Sequence, residues 1–278
     1  MKRRDFFAAA GAVGLSTVAL SSTDAAEAAR RVPVRRPAQR SGATTAKQAF
    51  LELRNYTVKD ADKKAKLVAA LDSALIPALN AQGIKPVGVF TAREDEQNFQ
   101  QNVFVLFAHK SPTSVATVTA KLLADKTFMK NGGAFFEGNS KDPLYTTFEN
   151  ALLYGFEKCP TIETPVSGPD RIFQIRYYRS WNIDKNVKKV HMFDEGGELP
   201  LFRKVGMHPV FFGDMVFGKM MPNLTYMLGF ENDDARKAAW KTFVDSPEWQ
   251  EIKGNPMYAD TATEIVNIFL KPSPGSQI

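Results

Sequence analysis

Glu52-Leu53-Arg54-Asn55-Tyr56 and Gln174-Ile175-Arg176-Tyr177-Tyr178 read as one strand written twice, 122 positions apart. The correspondence continues outward. Pro86-Val87 returns as Pro209-Val210, and Asn102-Val103 as Asn223-Leu224. The stretch from Asp125 to Met129 returns from Asp245 to Trp249, and Leu152 to Lys158 returns as Ile265 to Lys271. Five anchors in the same order, with offsets between 113 and 123, define an internal repeat. A repeat decides the layout before any other signal is weighed.

Each copy reads strand, helix, strand, strand, helix, strand. In the first copy, Ala49 to Val58 alternates apolar and polar side chains, as a strand does. Asp60 is a helix cap, and Leu67, Val68, Leu71, Leu75 and Leu79 form one apolar stripe ending at Gly83. Val87 to Thr91 and the apolar run Asn102 to His109 are the middle strands, Ser111-Pro112 opens a second helix, and Ala151 to Lys158 closes the copy. In the second, the strands fall at Ile172–Arg179, Pro209–Val216, Leu224–Phe230 and Glu264–Leu270. Its first helix runs from Asp184 through Val187, Val190 and Phe193. Gly196-Gly197 and Pro200 interrupt it before it resumes to Val205. The last helix is capped at Asn232 or Asp233. This order gives an antiparallel four-stranded sheet with both helices on one face. The bare sheet faces of two copies can then cover each other, face on face or as a closed barrel.

The N-terminus reads differently. Met1-Lys2-Arg3-Arg4-Asp5-Phe6-Phe7, an apolar run to Leu20 and the small-residue site Ala26-Glu27-Ala28 form a signal peptide of twin-arginine type. The expected location is therefore periplasmic or extracellular. No other stretch approaches the length of a membrane span. The net charge of +6 sits in residues 29–47, where Arg30, Arg31, Arg35, Arg36, Arg40 and Lys47 have no acid among them. That arm reads as a disordered spacer, with weak contact to an anionic surface as its alternative role. Residues 48–278 hold 27 charges of each sign, so nucleic acid is not an expected partner. The single cysteine, Cys159, rules out an internal disulfide. The expected layout is a signal (1–28), the arm (29–47), a first module (48–159), a linker (160–170), a second module (171–271) and a tail (272–278).

Three stretches carry a family resemblance. They are Glu52-Leu53-Arg54-x-Tyr56, Pro222-Asn223-Leu224-Thr225-Tyr226, and Ala235-Arg236-x-Ala238-Ala239-Trp240-x-x-Phe243 running on to Pro247-Glu248-Trp249. Together they resemble the NIPSNAP family over most of residues 48–270. The likeness is weaker where Phe128-Met129 stands in place of Glu248-Trp249, and where Gln174 replaces the opening acid. The resemblance implies an α+β fold: two tandem ferredoxin-like modules forming a dimeric α/β-barrel within one chain. It implies no agreed reaction. Relatives in the wider superfamily include cofactor-free monooxygenases, haem proteins and binding proteins.

Glu52, Arg54 and Tyr56 share one strand face, and Leu51 and Leu53 share the other. The apolar face is expected to meet the helices and the polar face to point between the sheets. Arg54, Tyr56, Arg176 and Tyr178 would then form an anion or carbonyl site at the barrel centre. The simpler reading is a satisfied polar network that docks the modules. Among the histidines, His109 should be exposed, His191 should border the space between sheet and helix, and His208 should start a strand. No pair has metal-ligand spacing, so no metal or cofactor is expected, although one histidine could still ligate haem. Module two is dense in methionine and aromatic residues, including Tyr226 and Trp240, which suit either a flat apolar ligand or an ordinary core. Asn223 and its counterpart Asn102 could orient a carbonyl, or simply cap turns. The expected function is binding of a small apolar or anionic molecule, within a module or between modules. A cofactor-free or haem-dependent monooxygenase and an envelope scaffold are the alternatives. One chain could complete the barrel alone, or two could pair.

Overall fold

The computed structural model describes residues 47–136 and 139–278. The expected signal peptide and the arm arginines lie outside the described residues. Module one contains β1 (Phe50–Thr57), a helix in two parts, α1 (Ala61–Ala70) and α2 (Ile76–Ala81), then β2 (Val87–Ala92) and β3 (Asn102–His109). Next come α3 (Pro112–Ala124), α4 (Lys126–Asn131), α5 (Gly133–Phe136) and β4 (Thr147–Gly155). Module two contains β5 (Ile172–Arg179), α6 (Ile183–Asp194), α7 (Glu198–Lys204), β6 (His208–Phe217) and β7 (Asn223–Phe230). It ends with α8 (Asp233–Asp245), α9 (Pro247–Gly254) and β8 (Glu264–Pro272). The helix starts are set by side-chain caps. Asp60 accepts from the Lys63 amide, Ser111 from Ser114, Asn182 from Lys185 and Asn232 from Ala235. Gly197, at φ 99°, makes the break between α6 and α7 expected from Gly196-Gly197. A single π turn, Leu71–Leu75, joins α1 to α2.

The eight strands close into one barrel in the order β1-β3-β2-β8-β5-β7-β6-β4, every neighbouring pair antiparallel. Each module thus contributes a four-stranded ferredoxin-like sheet, and the seams are β2–β8 and β4–β6. Arg93 ties the first seam, donating to Asp95 of its own module at 2.7 Å and to Asp233 of the other at 2.8 Å. The β4–β6 seam is short, pairing only Leu152–Gly155 with Phe217–Gly213.

The interior corrects the expected orientation of the first strands. Leu51 and Leu53 point into the barrel, where they pack with Phe104, Leu106, Phe173, Ile175, Phe211, Met227 and Leu270. Phe90 and Phe173 meet across the module boundary at 5.0 Å between centroids. The polar face of β1 and β5 therefore lies under the helices. An eight-stranded barrel has an interior just wide enough for side chains. Filling it with leucine and phenylalanine avoids burying charge far from any helix-borne partner. At Gly213 an added Cβ would come within 2.7 Å of Leu153 Cβ, so β6 and β4 approach more closely there than a side chain allows.

The tail is held in place. Ser273 and Gln277 donate backbone N–H groups to Val89 and Val87, and Asp72 accepts from Ser273 Oγ at 2.6 Å and from the Gly275 amide at 3.0 Å. The Ile278 side chain is buried in the barrel core. The segment after β8 thus runs back along β2 and closes the end of the barrel where β1 and β5 begin.

Candidate functional site

The polar face of β1 builds a closed network under the helices of module one. Arg54 Nε donates to Glu52 at 2.6 Å, and Asn150 on β4 donates to the same carboxylate oxygen at 2.9 Å. His109 Nε2 lies 2.8 Å from the other oxygen, and its Nδ1 lies 2.8 Å from Ser114 Oγ. An ionised carboxylate only accepts, so His109 donates through Nε2 and accepts through Nδ1. His109 is fully buried, contrary to the expectation of exposure, because Glu52 needs its N–H. Burial by itself would raise the Glu52 carboxyl. The His109 hydrogen bond and the Arg54 guanidinium outweigh it and hold the group below its ordinary value. Arg54 lies against the Phe107 ring at 4.9 Å and the Phe148 ring at 5.7 Å.

Module two builds its floor differently. Gln174, in the place of Glu52, donates to Asn267 at 2.6 Å and accepts from Trp240 Nε1 at 2.6 Å. Arg176 donates to the Tyr226 hydroxyl at 3.2 Å and lies 4.8 Å from the Trp240 ring. Tyr178 and Tyr226 stack at 5.6 Å. The charge that answers Arg176 comes from helices. Glu198, at the start of α7, lies 3.6 Å from Lys189 on α6, and both are buried. Burial pulls the Lys189 ammonium down and pushes the Glu198 carboxyl up, each partly offset by the other.

The structure therefore separates the expected four-residue centre into two sites. Arg54 and Tyr56 belong to one, Arg176 and Tyr178 to the other, with the barrel core between them. Tyr226 and Trp240 join the second site. Asn223 does not join either. Its side-chain N–H groups donate to the Lys219 and Met220 carbonyls, which is turn chemistry. Asn102 donates to Asn55 at 2.8 Å. His191 is half-exposed, 3.0 Å from the Tyr258 hydroxyl and 3.5 Å from Glu195, and His208 is half-buried where β6 starts. The space between sheet and helices in module two is packed by Phe193, Phe202, Phe212, Tyr226 and Phe243. No metal-binding cluster of His, Cys, Asp or Glu occurs among the described residues.

Sequence reading missed Lys189, Glu198, Asn186 and Asp214. The expected stripe on α6 ran through Val187, yet Val187 is 58% exposed, and the buried face carries Asn186 and Lys189. Asn186 donates to Asp214 on β6 at 2.7 Å, and the Lys189 ammonium lies over the Phe193 ring at 4.6 Å. A buried lysine next to a buried acid breaks the apolar periodicity that locates a helix face. The available signal was Glu198, placed directly after the Gly196-Gly197 break.

The helix caps Ser111 and Asn232 align α3 with α8, and at that register Thr119 stands where Trp240 does. Trp240 covers Arg176. Thr119 does not reach Arg54, and a pocket of about 210 Å³ opens in module one. Arg54, Tyr56 and Asn150 form its floor, and Leu122, Phe128 and Phe148 are among its walls. Leu123, Phe136 and Phe148 at the rim are each about half exposed.

A closed eight-stranded barrel of two ferredoxin-like halves, with a site under the helices of each, is the dimeric α/β-barrel fold. Residues 173–277, within the second module, match the NIPSNAP family model. Among solved structures, the chain is similar to a candidate monooxygenase from Lactobacillus acidophilus NCFM. The two are 10% identical, with 82% of this chain and 95% of that chain covered at a TM-score of 0.55. An anthrone oxidase-like protein is 9% identical, with 83% and 93% covered at 0.50. A NIPSNAP-like domain protein from Burkholderia xenovorans is 19% identical, with 38% and 87% covered at 0.34. A search of curated proteins gives no match.

Proposed function

We propose that this chain binds a small, flat, neutral molecule in the module-one pocket between sheet and helices. The observation that carries the reading is the exchange of Trp240 for Thr119, which leaves one of two equivalent floors uncovered. The Glu52–Arg54 pair is charge-neutral, and the walls are leucine and phenylalanine, so an ionised ligand gains little there. Arg54 and Tyr56 supply hydrogen bonds for one carbonyl-type oxygen. The volume lies below the usual range for drug-sized ligands, which limits the occupant to about one ring with short substituents.

Saturation-transfer NMR with acetophenone tests this. Thr119→Trp should close the pocket and remove the signal, with the fold kept as judged by circular dichroism. An undiminished signal in that variant would refute the reading. A monooxygenase-type reaction in the same pocket is the reading suggested by the names of the similar barrels, and oxygen uptake with a phenolic substrate tests it. Export by the twin-arginine route rests on Arg3-Arg4-Asp5-Phe6-Phe7. Arg3→Lys with Arg4→Lys should retain the protein in the cytoplasm on cell fractionation.

A further inference from the structure

The barrel is filled at one end and open at the other. Ile278, Ile162 and Val166 pack into the end where β1 and β5 begin. At the opposite end a cleft of about 430 Å³ enters the interior between the modules. The cause is the short second seam. Pairing of β4 with β6 starts at Leu152, so the first half of β4 faces the β6–β7 turn without a ladder. That turn carries Met220 at φ 61°, and Gly218 lines the cleft beside it. The Glu149–Lys219 ion pair crosses the mouth and links the modules.

The lining is apolar from both halves: Leu53, Phe104 and Ala151 from one, Met215 and Ile268 from the other. Methionine and aromatic side chains adapt to flat apolar molecules. Asn55 and Tyr177 are the polar side chains on its inward strand faces, and Asn55 Oδ1 already accepts from Asn102 at 2.8 Å. Tyr177 lines the cleft, and among the described residues its hydroxyl has no hydrogen-bonding partner. Burial, reinforced by Glu149, pushes its phenol up, so the hydroxyl stays protonated and donates. The nearby charges, Glu149 and Lys219, neutralise each other.

We propose that this cleft is a second ligand site, taking a neutral, mainly apolar molecule with one carbonyl-type acceptor for Tyr177. Its volume accommodates about two or three rings. The site differs from the module-one pocket in size and in its donor, and the two are divided by Phe148 and Asn150, which border both.

The test uses prodan, a naphthyl ketone whose emission reports the polarity around it and whose carbonyl accepts hydrogen bonds. Titration of the purified chain should saturate with a shift of the emission from its value in water. Tyr177→Phe keeps the ring and should weaken binding about five- to tenfold through loss of one hydrogen bond. Ala151→Trp should abolish binding by filling the cleft, and Thr119→Trp should leave it intact. Should Ala151→Trp fail to fold, Tyr177→Phe and Thr119→Trp still decide. The absence of saturable binding by the folded wild type overturns the proposal, as does equal binding in Tyr177→Phe. Loss of prodan in Thr119→Trp, with Tyr177→Phe unaffected, assigns the ligand to the first pocket instead.

Discussion

Glu52→Gln removes a charge and almost nothing else. In the wild type the carboxylate receives Arg54, Asn150 and His109, with side-chain exposures of 2% for Glu52 and 8% for Arg54. The amide can still accept from Arg54 and Asn150 through its oxygen. His109 can change tautomer, accept from the new NH₂ and donate to Ser114. What cannot be replaced is the counter-charge of Arg54. Removing one partner of a buried pair costs about 3–5 kcal/mol. The Phe107 and Phe148 faces retain part of the stabilisation of Arg54, which points to the lower half of that range. For a chain of this size each kcal/mol moves Tm by about 2–4 °C, so a fall of roughly 6–15 °C is expected. Scanning calorimetry at neutral pH measures it.

The pH profile sharpens this prediction. The folded carboxyl sits below its ordinary value of 4.5. The unfolded state therefore binds the extra proton first, and stability rises with pH in that window. The contribution is complete above about pH 4.5 and is lost as pH falls through the lower folded value. Glu52→Gln should flatten this acid limb while lowering the plateau. A variant with unchanged Tm and an unchanged acid limb would refute the assignment of Glu52 as the counter-charge of Arg54.

Trp240→Thr should open in module two the counterpart of the module-one pocket and destabilise by about 3–5 kcal/mol, read by urea unfolding. Ile278→Ala should cost about 2–4 kcal/mol in the same assay, because that side chain closes one barrel end. Cys159 is fully buried, and burial pushes its thiol up. Its reaction with Ellman's reagent should be negligible in the native protein and rapid in denaturant. Gly213→Ala should lower stability measurably by thermal melting, since Leu153 Cβ occupies the space of the new methyl.

Topology was legible because it is carried by repetition and by strong local signals. Asp60, Ser111 and Asn232 mark helix starts without reference to the rest of the chain. The facing of β1 was not legible. The alternation of Leu51, Leu53 with Glu52, Arg54 shows that two faces differ, but not which one meets the helices. The answer depends on partners far along the chain: Ser114 and His109 for one module, Lys189 and Glu198 for the other. The docking of residues 272–278 was not legible for a similar reason. Ser273, Gly275 and Ser276 have loop composition, yet their hydrogen bonds go to Asp72 and β2. Asn223 followed its local chemistry, and its turn role was readable from its place before a strand.

Closure of the barrel within a single chain has an evolutionary corollary. When two copies of one subunit assemble about a two-fold axis, every substitution is made twice and both halves change together. Covalent linkage lifts that constraint. A tryptophan can be kept on one side as permanent packing, while its counterpart shrinks to threonine and exposes a pocket. The half that stays filled then carries the thermodynamic load, and the other is free to accumulate substitutions that a symmetric assembly would suffer in duplicate. Selection on ligand preference in such a chain should act unevenly, with module-one positions around Thr119 drifting faster than those around Trp240.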